Sequence, residues 1–168
     1  MPRRTPLLPT YFAICLFVGR IGGRVRISLI APCGRLAGEG RVIRARDAGG
    51  FALLGVDDLW AVRYRRAGPR LDRALAMVPP DRPRILLSHQ PRTVDEWAGR
   101  VDLQLSGHTH GGQINPGFCP VALFLDYVAG PYRVGGTTLY VNRGFGTVGP
   151  PSRVGAPPEV TRIVLVAA

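Results

Sequence analysis

Two short apolar runs, each followed directly by histidine, constrain the fold of this 168-residue chain most strongly. The run RILLS at 84–88 is typical of a strand that is buried on both faces. In the run VDLQLSG at 101–107, apolar and polar residues alternate, which predicts another strand. The apolar side chains expected on one face of this second strand are Val101, Leu103 and Leu105.

Further segments predict strands and helices around these two runs. Expected strands are 41–46 and 51–56, joined as a hairpin by a Gly-Gly turn, then 132–134 and 137–142, joined by a second Gly-Gly turn, and 160–166. Residues 69–78 predict an amphipathic helix, and 93–99 predict a short helix with Thr93 as N-cap and Glu96 at the capping-box spacing. Strands that alternate with short helices indicate one β-rich α/β domain with mixed sheets.

The formal charge of +11 does not by itself indicate a nucleic-acid partner. All 22 basic residues are arginines, spread from Arg3 to Arg162, and no basic motif is interleaved with aromatic residues. We therefore expect no specific nucleic-acid binding. The three cysteines have no C-x-x-C spacing and indicate neither a disulfide framework nor a thiolate zinc site.

The N-terminal 35 residues form an atypical segment. An apolar run at 7–18 follows Arg3 and Arg4, as in a secretory signal, but it contains Pro9 and is short of the roughly 20 residues that span a bilayer. A second apolar patch lies at 25–31. Three interpretations stay open at this point: an export signal or anchor, a buried strand pair, or sequence that is not native to the domain at 36–168.

The chain has three histidines, and each lies at or just after the carboxyl end of a predicted strand. They are His89, His108 and His110, the last two within SGHTHGGQ. Ligands of open α/β sheets bind at this edge, and neutral imidazole is a common ligand of Zn, Mn and Fe ions. A single histidine is more often a surface or core residue, but the clustering of all three favours a shared metal site.

Several motifs resemble those of the calcineurin-like metallophosphoesterase superfamily. They are LLSHQP at 86–91, DLQLSGHTHGGQ at 102–113, LGVDD at 54–58, LYVNRG at 139–144 and the GxPPEV pattern at 155–160. The likeness covers about residues 36–168 and is greatest to a bacterial branch of small, often membrane-associated phosphohydrolases. It implies a four-layer α/β/β/α sandwich with a two-metal site of Mn, Fe or Zn, in which His89 and His108 bind one ion and His110 the other.

The resemblance also implies hydrolysis of a phosphoester, either a small molecule or a lipid. It identifies no catalytic residue beyond the three metal ligands and no substrate-binding residue. Gln90 stands where asparagine is also frequent in the family. The family's N-terminal motifs, D-x-H, G-D-x-x-D and G-N-H-D/E, have no counterpart here, since the first aspartate is Asp47. Asp57 and Asp58 are expected to be mainly structural, because adjacent strand residues point to opposite faces.

The chain is therefore interpreted as the C-terminal half of the sandwich, truncated or wrongly started, with a partial domain at 36–168. We expect weak or no catalysis, and one bound ion rather than two. The alternative is a non-catalytic metal-binding or interaction module, anchored to a membrane by residues 7–18. Membrane-associated and cytoplasmic locations in a bacterium both stay open.

Overall fold

In a computed structural model, the described residues are 50–65 and 67–165, together with the backbone of three earlier strands. Those strands are β1 (Leu16–Ile21), β2 (Arg24–Leu29) and β3 (Glu39–Ile43). The later strands are β4 (Phe51–Gly55), β5 (Arg84–Leu87), β6 (Leu103–Ser106), β7 (Gly130–Val134), β8 (Thr137–Val141) and β9 (Thr161–Leu165). Two α-helices, α1 (Leu71–Leu75) and α2 (Thr93–Trp97), and three 3₁₀ helices, Leu59–Tyr64, His110–Gly112 and Pro120–Leu123, connect them.

The main sheet has six strands in the order β3-β4-β5-β6-β8-β7. The four central strands, β4, β5, β6 and β8, are parallel, and an antiparallel hairpin partner lies at each edge. Both predicted hairpins are thereby confirmed. In the second one, Gly135 and Gly136 have φ of 48° and 88°, and a two-residue type I′ turn requires positive φ at both positions. Residues 44–49, which contain the predicted first turn, lie outside the described residues.

Each face of the main sheet is covered by a different layer. On one face, α1 and α2 pack through Leu71, Val94 and Trp97, all of which are buried. On the opposite face, Ile163 and Leu165 of β9 pack against an apolar cluster that includes Phe51, Ile85 and Leu105. Burial of a leucine-sized side chain stabilises the fold by about 1.5–3 kcal/mol. The α/β class and the mixed sheet are therefore as predicted.

A second sheet of three antiparallel strands has the order β1-β2-β9. The described residues thus supply a helical layer and two sheets, and a fourth, helical layer outside the second sheet stays a prediction. Of the three interpretations of residues 1–35, the strand pair matches the backbone of Leu16–Ile21 and Arg24–Leu29. Residues 7–15 lie outside the described part, and the domain boundary at 35 stays a prediction. No helix among the described residues is long and apolar enough to span a membrane.

Three predictions from the sequence were wrong in detail. The helix expected at 69–78 is regular only over Leu71–Leu75, because Pro79 and Pro80 follow its irregular last turn. Thr93 is the first helical residue rather than the N-cap, and its hydroxyl donates to the Gln90 carbonyl instead. Val101 precedes β6 and packs beneath the helices, whereas Leu103 and Leu105 pack against β9.

Candidate metal centre

Three of the four central parallel strands, β4, β5 and β6, end at the same edge of the sheet. Hydrogen bonds continue beyond them, from Ser88 N to the Leu105 carbonyl and from Gly107 N to the His89 carbonyl. The chain segments that follow β5 and β6 are therefore held side by side. His89 and His108 are the side chains that this arrangement brings together.

The rings of His89 and His108 are in contact. Their centroids lie 4.9 Å apart at an interplanar angle of 81°, and His108 Nδ1 lies 3.1 Å from His89 Nε2. Two nitrogens that bind one ion at about 2.0–2.1 Å in tetrahedral geometry are roughly 3.3 Å apart. The observed nitrogen–nitrogen distance therefore suits two donors on a single ion.

His110 is oriented differently from the other two histidines. Its Nδ1 lies 3.4 Å from the Gly146 carbonyl and 3.4 Å from Arg153 Nη2. When Nδ1 donates to a carbonyl, Nε2 keeps its lone pair, which is the usual state of a ligating histidine. The described residues nevertheless contain no group of three or more His, Cys, Asp or Glu side chains placed to hold one ion. The structure thus pairs two of the three predicted ligands, and the third lies beside them.

The backbone of the histidine loop is unusual. His108, His110 and Gln113 have φ of 72°, 52° and 53°, in the left-handed region that non-glycine residues seldom adopt. Arg153 holds this loop, since its Nη1 donates to the His110 carbonyl at 3.1 Å and its Nη2 to the Gly146 carbonyl at 2.6 Å. Sequence analysis did not single out Arg153, because its partners are backbone carbonyls that leave no pattern in the sequence.

Asp58 also lies at this site. Its Oδ1 accepts hydrogen bonds from Trp60 N at 2.7 Å and from Gln90 Nε2 at 3.1 Å. The Trp60 ring in turn makes an edge contact with His108, with centroids 5.5 Å apart. Asp58 was expected to be mainly structural, and its contacts with Gln90 and Trp60 beside the histidines were not predicted. The LGVDD motif after a buried strand was the available signal, but the sequence alone does not show that β4 and β5 are neighbours.

Burial dominates the electrostatics of the histidines. It lowers the pKa of His89 to about 4, an effect that nearby His108 increases and the charge of Asp58 opposes. Burial also lowers the pKa of His108 and of His110, although Asp58 opposes the shift for His108 and the Gly146 carbonyl opposes it for His110. All three imidazoles are therefore neutral near pH 7, which is the form that binds metal ions.

Comparison with known proteins gives the site a family context. The chain is 40% identical over 121 residues to an uncharacterized metallophosphoesterase of Helicobacter pylori, a match that covers 70% of this chain and 33% of that protein. It is 40% identical over 124 residues to a bovine transmembrane protein with metallophosphoesterase domain, covering 70% of this chain and 28% of that protein. An uncharacterized metallophosphoesterase of Bacillus subtilis is 45% identical over 89 residues, which cover 48% of this chain and 30% of that protein.

These matches relate the chain to proteins that are named metallophosphoesterases. More specifically, the chain is related to the calcineurin-like metallophosphoesterases, as its motifs suggested. It spans about a third of the length of the curated relatives that it matches. No family model matches the chain, and no solved structure matches it significantly.

Proposed function

We propose that this chain contributes the His89–His108 part of a metal-dependent phosphoester hydrolase site. The observation that carries the proposal is the 3.1 Å approach of two imidazole nitrogens at the carboxyl edge of adjacent parallel strands. The names of the relatives support a hydrolase of phosphoester bonds and imply divalent metal ions. Such an ion polarises a phosphoryl oxygen and lowers the pKa of bound water.

The chain's own residues have separate roles in this proposal. His89 and His108 would hold one Mn, Fe or Zn ion through the facing nitrogens Nε2 and Nδ1. His110, with Nδ1 beside the Gly146 carbonyl, would present Nε2 to the second ion of a complete site. Arg153 fixes the loop that carries His110. The substrate is a phosphoester, either a small molecule or a lipid.

Metal titration of the 168-residue chain tests this proposal. Isothermal titration calorimetry with Zn²⁺ and Mn²⁺ is expected to show one ion per chain, because His89 and His108 approach each other through ring nitrogens, whereas His110 Nδ1 contacts the Gly146 carbonyl and Arg153. His89→Ala and His108→Ala should each weaken binding at least about tenfold. Unchanged binding in both variants would overturn the proposal.

Hydrolysis is the second arm of the test. With added Mn²⁺, the wild-type chain should hydrolyse p-nitrophenyl phosphate esters slowly at most, because the described residues hold no group of three or more ligands, and a two-metal site needs more. Any turnover should be lost in His108→Ala. Fast turnover that survives this substitution would contradict the proposed role of His108.

A non-catalytic metal-binding module is the second candidate function. The observation that favours it is that the described residues hold no group of three or more ligands. One bound ion without any hydrolysis, even at high Mn²⁺ concentration, is the result expected of such a module. Two bound ions together with turnover would exclude it. Location at a membrane is a proposal that rests only on relatives whose names call them transmembrane proteins.

A further inference from the structure

Three consecutive parallel strands, rather than two, deliver side chains to the metal centre. The ladder between β4 and β5 extends past β4 through a hydrogen bond from Val56 N to the Leu87 carbonyl at 3.3 Å. Asp58 follows two residues later, as His89 follows β5 and His108 follows β6. The Asp58 carboxylate therefore lies at the same edge of the sheet as the two rings, because it too follows the end of a parallel strand.

The two oxygens of the Asp58 carboxylate differ in their surroundings. Oδ1 is fixed by Trp60 N and Gln90 Nε2, so the plane of the group is restrained from two sides. Oδ2 is fully buried and has no hydrogen-bond partner among the described residues. Burial of a carboxylate oxygen that has no hydrogen-bond donor costs more free energy of folding than burial of one that is paired. A cation beside it would remove that cost.

Asp58 is also linked to both histidines through its hydrogen-bond partners. Gln90, which donates to Oδ1, directly follows His89 in the chain, and the ring of Trp60, whose backbone N–H donates to Oδ1, makes an edge contact with the His108 ring. Because Asp58, His89 and His108 are not placed as three ligands of one ion, Asp58 would act through the charge of its carboxylate rather than as a third ligand. Asp58 supplies the carboxylate charge that the pair of rings lacks.

We propose that Asp58 is the anionic partner of the His89–His108 pair and strengthens its binding of a divalent cation. The inference rests on the proposed function, since it requires that the two histidines bind an ion. Gln90 and the Trp60 backbone position the carboxylate through Oδ1, and Oδ2, which has no donor among the described residues, is the oxygen that a nearby positive charge would stabilise. Neither the resemblance nor the sequence assigned this role to Asp58.

Asp58→Asn isolates the charge. The amide oxygen of asparagine can still accept from Trp60 N and Gln90, so the loop should keep its conformation. We expect the affinity for Zn²⁺, measured by competition with a chromophoric chelator, to fall about 10- to 100-fold. Asp57→Asn is the matched control, because it removes one charge from the adjacent residue, and its affinity should stay within about twofold of wild type.

The outcomes separate this inference from the proposed function. If wild type binds Zn²⁺, His108→Ala does not, and Asp58→Asn binds like Asp57→Asn, the role of Asp58 is wrong and the proposed function stands. If His108→Ala binds like wild type, the proposed function fails first. Should Asp58→Asn not fold, as judged by circular dichroism, Asp58→Ser replaces it, since serine also caps the 3₁₀ helix Leu59–Tyr64. Wild-type affinity in Asp58→Ser would equally overturn the inference.

Discussion

At the scale of single residues, the histidine loop combines backbone strain with dense packing. Left-handed conformations at His108, His110 and Gln113 cost of the order of 1–3 kcal/mol each and persist only where surrounding contacts enforce them. The Gln113 side chain helps to hold its own backbone in this conformation, because its amide nitrogen donates to the Val148 carbonyl and its amide oxygen accepts from Val148 N. The SGHTHGGQ motif therefore specifies a backbone conformation as well as the positions of the two histidines that are proposed as metal ligands.

Gly112→Ala should destabilise the fold by more than the strain of its backbone alone. Gly112 has φ of 84°, and an added Cβ would lie 2.4 Å from Asn115 Oδ1 and 2.8 Å from Cys119 Sγ. Gly117 has the same φ with nothing within 4 Å of the added Cβ, so Gly117→Ala measures the backbone strain alone. In urea unfolding we expect a loss of about 1 kcal/mol for Gly117→Ala and about 2–4 kcal/mol for Gly112→Ala. Equal losses would contradict the packing described for this loop.

The lowered pKa of His89 predicts a pH dependence of stability. Between about 4, its folded value, and 6.5, its ordinary value, the unfolded chain binds a proton that the folded chain does not. The free energy of unfolding of the metal-free chain therefore decreases as the pH falls through this window, and this contribution is constant outside it. Urea unfolding in the presence of a chelator should show a shallower decrease for His89→Gln than for wild type. Parallel curves would show that His89 titrates normally in the fold.

At the scale of secondary-structure elements, a buried polar network joins β5, α2 and β6 behind the histidines. Thr93 Oγ1 lies 2.8 Å from Ser88 Oγ, donates to the Gln90 carbonyl, and accepts from Gln104 Nε2 at 2.9 Å. Gln104 is completely buried, although it is polar and alternates with the apolar residues of its strand. The helix α2 covers the face of β6 on which Gln104 lies, and the hydrogen bonds of the network satisfy the Gln104 amide nitrogen.

Thr93→Val tests the network, since it removes the hydroxyl while it conserves the shape of the side chain. Ser88 and Gln104 would each lose a buried partner, so we expect a loss of about 1–3 kcal/mol in urea unfolding. Thr147→Val, at an exposed loop position, should change stability by no more than about 0.5 kcal/mol. If the two variants have equal stability, the network does not contribute as described.

The sequence predicted these elements well where the pattern is local. Apolar runs predicted β4, β5 and β6, and the Gly-Gly pair at 135–136 predicted the hairpin of β7 and β8, because strand burial and turn geometry depend on adjacent residues. The pairing of β3 with β4 was also predicted, but Gly49 of the expected turn lies outside the described residues. The burial of Gln104 was missed, since it depends on α2 packing over β6. The pairing of β2 with β9 was likewise missed, because residues 24–29 and 161–165 are distant in the sequence.

At the scale of the whole molecule, the site arises from the order of strands in the main sheet. Sequence analysis placed His89 and His108 at one edge because each follows a strand, and the parallel pairing of β5 with β6 brings them together. It did not place Asp58 there, because nothing local shows that β4 lies next to β5. The contacts of His110 Nδ1 with Gly146 and Arg153 were not predicted, because both residues are far along the chain. The assignment of His110 to a second ion stays a prediction.

The proposed function requires that His89 and His108 hold one divalent ion between them. A crystal structure of the chain grown with Zn²⁺ and measured at the zinc absorption edge would locate that ion. We expect an anomalous peak about 2.0–2.1 Å from both His89 Nε2 and His108 Nδ1. An anomalous peak that is beyond bonding distance of both rings, or zinc bound only at His110, would contradict the proposed function.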